Sequence, residues 1–497
     1  MSDGERPPGD EAAELARLEE AVRAVLPALE AFNRFEGADQ AARRRPSWQA
    51  RLDLPLPSEG LGLDAVVEEL TRSAIPYGVR TGAPGFCGWV TTAPTTAGVV
   101  ATLAATVAGS QRYFTQPFNL LEALGLRWLA ELVGLPATFQ GVFGSGGSMA
   151  NLIALGAARQ SAFERIGHDP SADGVPAGVQ TRIYASRQVH HVVKRAAAVL
   201  GLGRRSVVLV DVDDDHRIDL VALRQVLDDD IRRGILPVAL VASAGTVDTG
   251  AVDPLAAMAD MAAERGVWLH VDGAYGLFGV LDPSVAGLFD GLDRADSVAV
   301  DPHKWLAVPI GCGATFVRDP ALLERAFTLE PAGYLARPPV DPADGPPASP
   351  FADIGERFLD FGIEQSAPSR GVLVWAALLE IGASGMRARV QRHIAFARRV
   401  TALASADESL EVMAPPSLSI ACFRYRRPGL TEDQLEDLNQ RVVSRLWADS
   451  VYVPSTTRLD GRLAIRCCFI NPRTTWADVD GLVAAVRRAG DALLGGE

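Results

Sequence analysis

Three short stretches place chemically capable side chains where buried strands would end. Lys304 lies in D-P-H-K-W (301–305), directly after the apolar run S-V-A-V. Asp272 follows V-W-L-H-V and precedes G-A-Y-G, and G-S-G-G-S (144–148) opens a helical run, M-A-N-L-I-A-L-G. Taken singly, each has a plain reading. A lone lysine is by default a solvated side chain, and G-S-G-G-S is an ordinary turn with Ser148 as helix cap. A carboxylate at the end of a buried strand is costly, however, unless a metal, a sugar hydroxyl or a protonated ring nitrogen meets it. Glycines let the backbone approach a ligand closely, and the first N–H groups of a helix carry the positive end of its dipole, which suits a phosphate. An amine flanked by Trp-Leu-Ala-Val is a candidate nucleophile.

In this chain order, a phosphate cradle, a strand-end Asp and a strand-end Lys match the three anchors of pyridoxal 5′-phosphate: phosphate, ring nitrogen and aldehyde. Other motifs fall away. D-V-D-D-D-H (211–216) has His216 where a calcium loop needs Gly and Ala222 where it needs Glu. G-L-G-R-R-S (201–206) precedes a strand rather than a helix, and G-S-G-G-S lacks the lysine of a nucleotide-binding P-loop. His190-His191 lacks partners for a metal, and no metal site is expected. The five cysteines form no C-x-x-C pair, and their odd, scattered set suits a reducing cytosol.

The elements that must position these residues are legible in outline. With 497 residues, 48% of them hydrophobic and 22% charged, the chain has room for about three globular units and is not disordered in bulk. A net charge of −13 argues against nucleic-acid partners and an anionic membrane surface. The acidic start lacks an apolar core, so no signal peptide is expected, and Ala97–Gly109 is too short and too weakly apolar to span a bilayer. From about residue 84, β-branched runs at 181–185, 206–210, 237–242, 267–271, 297–300 and 313–317 alternate with helical stretches at 119–133, 148–164, 189–200, 219–232 and 253–265. That alternation predicts an α/β architecture with a mainly parallel, doubly wound sheet, whose ligands sit beyond the carboxyl ends of the strands. Helices at 11–31 and 62–74 without strand signals predict an N-terminal helical dimerisation arm (1–83), ahead of a large cofactor domain (84–385). A long helix at 369–404, then strand, helix, strand and helix at 417–424, 431–447, 463–470 and 476–494, predict a small C-terminal α/β domain (386–497). The Pro-rich segment 335–352 reads as a long loop.

S-G-G-S-M-A-N, V-H-H-V-V-K-R-A, A-G-T-V-D-T-G, W-L-H-V-D-G-A-Y-G and D-P-H-K-W together resemble the group II pyridoxal-dependent decarboxylases, from about Pro84 to Trp375. The resemblance implies the aspartate-aminotransferase-like fold (type I) of such enzymes. It implies that Lys304 binds the cofactor covalently, Asp272 pairs with its ring nitrogen, His190 stacks on one ring face and Ala274 packs on the other. Gly147 and Ser148 would hold the phosphate with His303 and Asp301 nearby, and Thr246 would lie beside the cofactor. Asp301 departs from the Asn of some relatives, and a carboxylate beside a phosphate repels it unless turned away. Tyr334, in P-A-G-Y-L, would begin a mobile loop and return a proton to Cα after CO2 leaves. Trp89 and Thr92 would face the substrate, with Tyr113 or Phe114 arriving from the other subunit of a homodimer with shared active sites.

The expectation is a cytoplasmic decarboxylase of an L-amino acid, with an aromatic or bulky apolar side chain favoured by Trp89, Tyr113 and Phe114. An obvious arginine for a distal carboxylate is lacking, although Arg112 keeps an acidic substrate open. The alternatives are an aldehyde synthase or carbon–carbon lyase on the same scaffold, or a non-catalytic relative that binds a partner through the same fold.

Overall fold

The computed structural model describes residues 10–34, 45–112, 116–328 and 355–495. Its N-terminal part is helical: α1 (Asp10–Asn33), α2 (Arg45–Leu52), α3 (Gly62–Glu69), which continues as a wider turn to Ala74, and α4 (Thr96–Val107). Leu15, Leu26, Leu61 and Val66 stay exposed, so this part buries little apolar surface on its own. α5 (Gln116–Leu132) leads into the first sheet.

In chain order that sheet and its crossovers are β1 (Gln140–Gly144), α6 (Gly147–Glu164), β2 (Thr181–Ser186), α7 (Val192–Val199), β3 (Val207–Val210), α8 (Leu220–Arg232), β4 (Leu236–Ser243), α9 (Leu255–Arg265), β5 (Trp268–Asp272), β6 (Ser297–Val300) and β7 (Gly313–Val317). The seven strands lie in the order β1-β7-β6-β5-β4-β2-β3. Only β7 runs against its neighbours. The six strands expected between 181 and 317 are all present, within a residue or two of their expected ends. β1 was not expected: Q-G-V-F-G is short and glycine-rich, and only its pairing with β7 makes it a strand. Parallel strands buried on both faces explain the runs V-A-L-V-A and V-A-V, which lack polar alternation.

α10 (Ala321–Phe327) follows, and then α11 (Gly371–Ser405), interrupted at Gly382, where φ is +63°. β8 (Leu410–Ala414), β9 (Ile420–Tyr425), α12 (Glu432–Asp449), β10 (Ser455–Leu459), β11 (Arg462–Cys468) and α13 (Trp476–Gly495) complete the chain, with an antiparallel sheet ordered β10-β11-β9-β8. α11 belongs to both halves. Val374, Met386, Val390 and Ile394 lie in the core of the first sheet, while Phe396, Ala397 and Val400 lie in the core of the second. By length and composition it alone among the described helices is apolar enough to cross a membrane, and its double core role accounts for that composition.

Candidate active site

Five strands of the first sheet end around one cavity. β1 ends at Gly144, and Gly146 turns the chain into α6 at φ +125°, where a Cβ would stand 3.1 Å from His303 Cε1. This is a conformation that side chains rarely adopt. β2 leads to His190, β4 to Thr246, β5 ends at Asp272 with Ala274 and Tyr275 just beyond, and β6 leads into the turn that carries Asp301, His303 and Lys304. Together they line a cavity of 320 Å3. Gly147, Ser148, His190, Thr246, Asp272, Ala274, Asp301, His303 and Lys304, all singled out from sequence, are brought together there. A second cavity, of 340 Å3, lies under α5 against Leu126, Leu135, Phe139, Phe316 and Phe358, away from these strand ends.

Lys304 Nζ lies 2.9 Å from Asp301 Oδ2, and His303 Nε2 lies 3.8 Å from the same oxygen. Asp301 is buried against the first residue of α6, and its other carboxylate oxygen has no hydrogen-bond partner. Its pairing with Lys304 gives that carboxylate a place beside the cradle. His303 Nδ1 donates to the Cys312 carbonyl at 2.6 Å, which orients the ring. Asp272, also buried, accepts from the Ala274 N–H at 3.2 Å and has no ion-pair partner among the described residues. His190 Nδ1 accepts from the Val192 N–H at 3.3 Å, so the neutral ring carries its proton on Nε2. Burial holds its pKa below the usual histidine value, with His191 and Lys304 adding to the effect and Asp272 opposing it. Thr246 Oγ1 bonds Thr249 Oγ1 at 3.0 Å and accepts from the Ala251 N–H, which fixes the loop after β4.

Sequence reasoning missed a buried relay behind Asp272. Asn151 on α6 donates to the Gly147 carbonyl at 2.9 Å and accepts from His270 Nε2 at 3.0 Å. His270 Nδ1 bonds Ser297 Oγ at 2.9 Å, and Trp268 Nε1 donates to the same hydroxyl at 2.8 Å. The available signal was spacing: residues 268, 270 and 272 share one side of β5. Two links from the second sheet were also missed. Tyr275 Oη bonds Ser419 Oγ at 2.6 Å. Arg466 donates to the carbonyls of Val247 and Trp89 at 2.6 and 3.0 Å, while one guanidinium nitrogen stays buried without a partner.

Other expected positions are not brought to this cavity. Trp89 holds φ +50°, packs against Phe86 and leaves 56% of its surface exposed. Thr92 is buried, and its hydroxyl contacts the carbonyl of Ala93. Tyr113, Phe114, Tyr334 and the segment 335–352 lie outside the described residues. Arg112 is committed to the fold, donating to the carbonyls of Phe143 and Glu364.

The arrangement fits pyridoxal phosphate on its own chemistry. A buried carboxylate with no ion-pair partner among the described residues calls for a protonated ring nitrogen, an amine lines the same cavity, and a glycine-opened helix N-terminus completes the three anchors. Comparison with known proteins agrees. Residues 46–426 match the family described as the pyridoxal-dependent decarboxylase conserved domain. The chain is 33% identical over 357 residues to an aromatic-L-amino-acid decarboxylase of Bacillus atrophaeus, covering 71% of this chain and 70% of that one. It is 31% identical over 428 residues to an L-2,4-diaminobutyrate decarboxylase of Rhizobium meliloti (strain 1021), covering 85% and 81%. A crystal structure of mouse CSAD, 26% identical, superposes with a TM-score of 0.84 over 96% of this chain and 99% of that one. The chain therefore belongs to the pyridoxal-dependent decarboxylases, enzymes that use pyridoxal phosphate to remove the carboxylate of an amino acid.

Proposed function

We propose that this enzyme decarboxylates an L-amino acid with an aromatic or bulky apolar side chain, giving the amine and CO2. The observation that carries the reading is Asp272, buried, without an ion-pair partner among the described residues, and sharing one cavity with Lys304 and the start of α6. Bound pyridoxal phosphate supplies an electron sink for the pair released when the Cα–carboxylate bond breaks. Lys304 supplies the amine that holds the cofactor's aldehyde carbon. Asp272 holds a proton on the ring nitrogen, and such fixed charge is usually the largest catalytic contribution. The N–H groups at Gly147 and Ser148 would take the phosphate, with His303 and Asp301 nearby, and Ala274 and His190 would flank the two faces of the ring. Tyr334, helped by His190, returns a proton to Cα; its role rests on the sequence resemblance.

The substrate preference is supported by the aromatic relative and by the apolar Val247, Tyr275 and Ile310 in the cavity wall. Arg112, the one cation that kept an acidic substrate open, is spent on backbone carbonyls. We further propose a cytoplasmic homodimer in which residues 1–83 form the pairing arm of a cofactor domain (84–385) and a small domain (386–497), with Trp89 and Thr92 facing the substrate and Tyr113 or Phe114 arriving from the other subunit. Five buried free thiols suit a reducing compartment.

The test is CO2 release by the cofactor-loaded enzyme across the common amino acids, with product analysis. Aromatic substrates should lead, with amine and CO2 in equal amounts. A lead for an acidic or basic amino acid would overturn the substrate class. Aldehyde with peroxide or ammonia would favour a synthase instead.

A further inference from the structure

The turn that carries Lys304 is held from outside its own sheet. Between Asp301 and Val308 the backbone folds on itself: the Lys304 N–H donates to the Asp301 carbonyl at 3.0 Å and the Ala307 N–H to the Lys304 carbonyl at 3.2 Å. Ala307 is buried and is not glycine, yet its φ is +58°. Such a backbone persists only where the surroundings over-determine it. The Thr95 N–H, just ahead of α4, donates to the Ala307 carbonyl at 2.9 Å, and α11 holds the two residues before it. Arg389 Nη1 donates to the Leu306 carbonyl at 2.9 Å, and Trp305 Nε1 donates to His393 Nδ1 at 3.0 Å. Arg389 and His393 are four residues apart and so lie on one helix face. Trp305 has no exposed surface and stacks between Tyr275 at 5.4 Å and His393 at 6.4 Å.

Both contacts are chemically restrictive. An indole N–H can only donate, so His393 Nδ1 must carry a lone pair and the ring must be neutral. Arg389 is buried, has no carboxylate partner among the described residues, and spends its charge on one carbonyl. A buried cation is tolerated only where such a charge-assisted bond holds it. From Phe396 onward, α11 is core to the second sheet.

We propose that Arg389 and His393 are positioning residues for Lys304. They lock the 301–308 turn so that the lysine amine keeps its spacing from Asp272 and from the start of α6, and they tie that spacing to the C-terminal sheet. This rests on Lys304 being the cofactor-bearing residue.

The test compares His393→Phe, which keeps a ring but removes the acceptor, with His393→Asn, whose carboxamide oxygen can replace Nδ1. The readouts are kcat and KM of the loaded enzyme, the cofactor dissociation constant by titration of stripped protein, and the thermal midpoint of the stripped protein. His393→Phe should lower kcat and weaken cofactor binding, each about ten-fold, with KM changed less than about two-fold. His393→Asn should recover most of both. The double variant Trp305→Phe/His393→Phe should be no worse than the worse single one, because both remove the same bond. Unchanged cofactor affinity and kcat in a folded His393→Phe protein would overturn the proposal. So would losses that add in the double variant, or that follow the thermal midpoint without recovery by Asn. If His393→Phe does not fold, Arg389→Met against Arg389→Lys reads the second bond in the same way. Borohydride trapping in the unmodified enzyme separates the two ideas: label elsewhere than Lys304 removes the premise, whereas label on Lys304 with a silent His393→Phe removes only this proposal.

Discussion

Lys304 and Asp301 form an ion pair at 2.9 Å inside a cavity proposed to bind a phosphate, so the lysine's amine already has a defined partner. Replacing it with alanine removes the amine needed to hold the cofactor covalently. Lys304→Ala should lose turnover and borohydride-stable labelling together, while retaining its secondary structure by circular dichroism. Labelled, active Lys304→Ala protein would end the assignment. Behind Asp272, His270 is fully buried and its pKa is pushed down by burial to about 4, with Asp272 pulling the other way. Between pH 6.5 and 4 the unfolded chain therefore binds a proton at this ring that the folded chain refuses. Stability present above pH 6.5 is lost as the pH falls, by roughly 3 kcal/mol at most. His270→Gln keeps hydrogen-bonding groups and removes the titration, so in urea unfolding of the stripped protein its stability should fall less steeply between pH 7 and 4.5. Asp253, whose pKa burial raises to about 6, acts with the opposite sign but is common to both proteins. Parallel profiles would contradict the assignment. At this scale the sequence marked the groups facing the cavity, because motif and chain order carried them. It did not mark Asn151, His270 or Arg466, whose partners lie 119, 27 and 219 residues away along the chain. Such pairings come from packing and have no local signature.

Strand ends set the geometry of the site. β1 and β7 pair in register to Gly144↔Gly313, and the start of α6 sits directly on that glycine pair. A Cβ on Gly313 would stand 2.5 Å from the Gly146 carbonyl carbon and 2.6 Å from Asp301 Oδ1. Gly313→Ala must therefore shift the cradle or Asp301, at a cost of about 1–3 kcal/mol. We expect cofactor binding about ten-fold or more weaker, restored in part by high cofactor concentration, as measured by titration of stripped protein. Unaltered binding would show that the cradle tolerates movement. The elements were legible in proportion to their apolar pattern. β4, β5 and β6 announced themselves as unbroken apolar runs, whereas β1 and β10 did not. Q-G-V-F-G is weak in β-formers, and S-T-T-R-L is polar and at the edge of its sheet, so both depend on partners remote in sequence. The break in α11 was equally hidden, because one glycine in a long helical pattern has many possible reasons.

As a whole, the molecule is acidic, with a net charge of −13, yet it presents a broad apolar face near the site. α4 exposes Val99, Val100, Leu103 and Val107, and Ile310, 82% exposed, stands at the edge of the cofactor cavity. The leucines of α1 and the following segment are exposed as well, Leu56 almost completely. Monomers rarely leave apolar patches of this extent in water. The acidic surface that discourages nucleic acid does not oppose self-association through an uncharged face. A second copy covering α4 would explain both the exposure and the open edge at Ile310. The unmodified enzyme should therefore sediment at twice its 52.8 kDa chain mass. Val100→Glu with Leu103→Glu would place four carboxylates in a two-fold interface, and desolvating each costs about 2 kcal/mol or more. That is enough to raise the dissociation constant at least a thousand-fold and leave monomer at micromolar protein. If the partner completes the site, the monomer should lose most of its turnover while its circular dichroism remains that of the parent. A fully active monomer would disprove shared sites, and a dimer that survives both glutamates would locate the interface elsewhere.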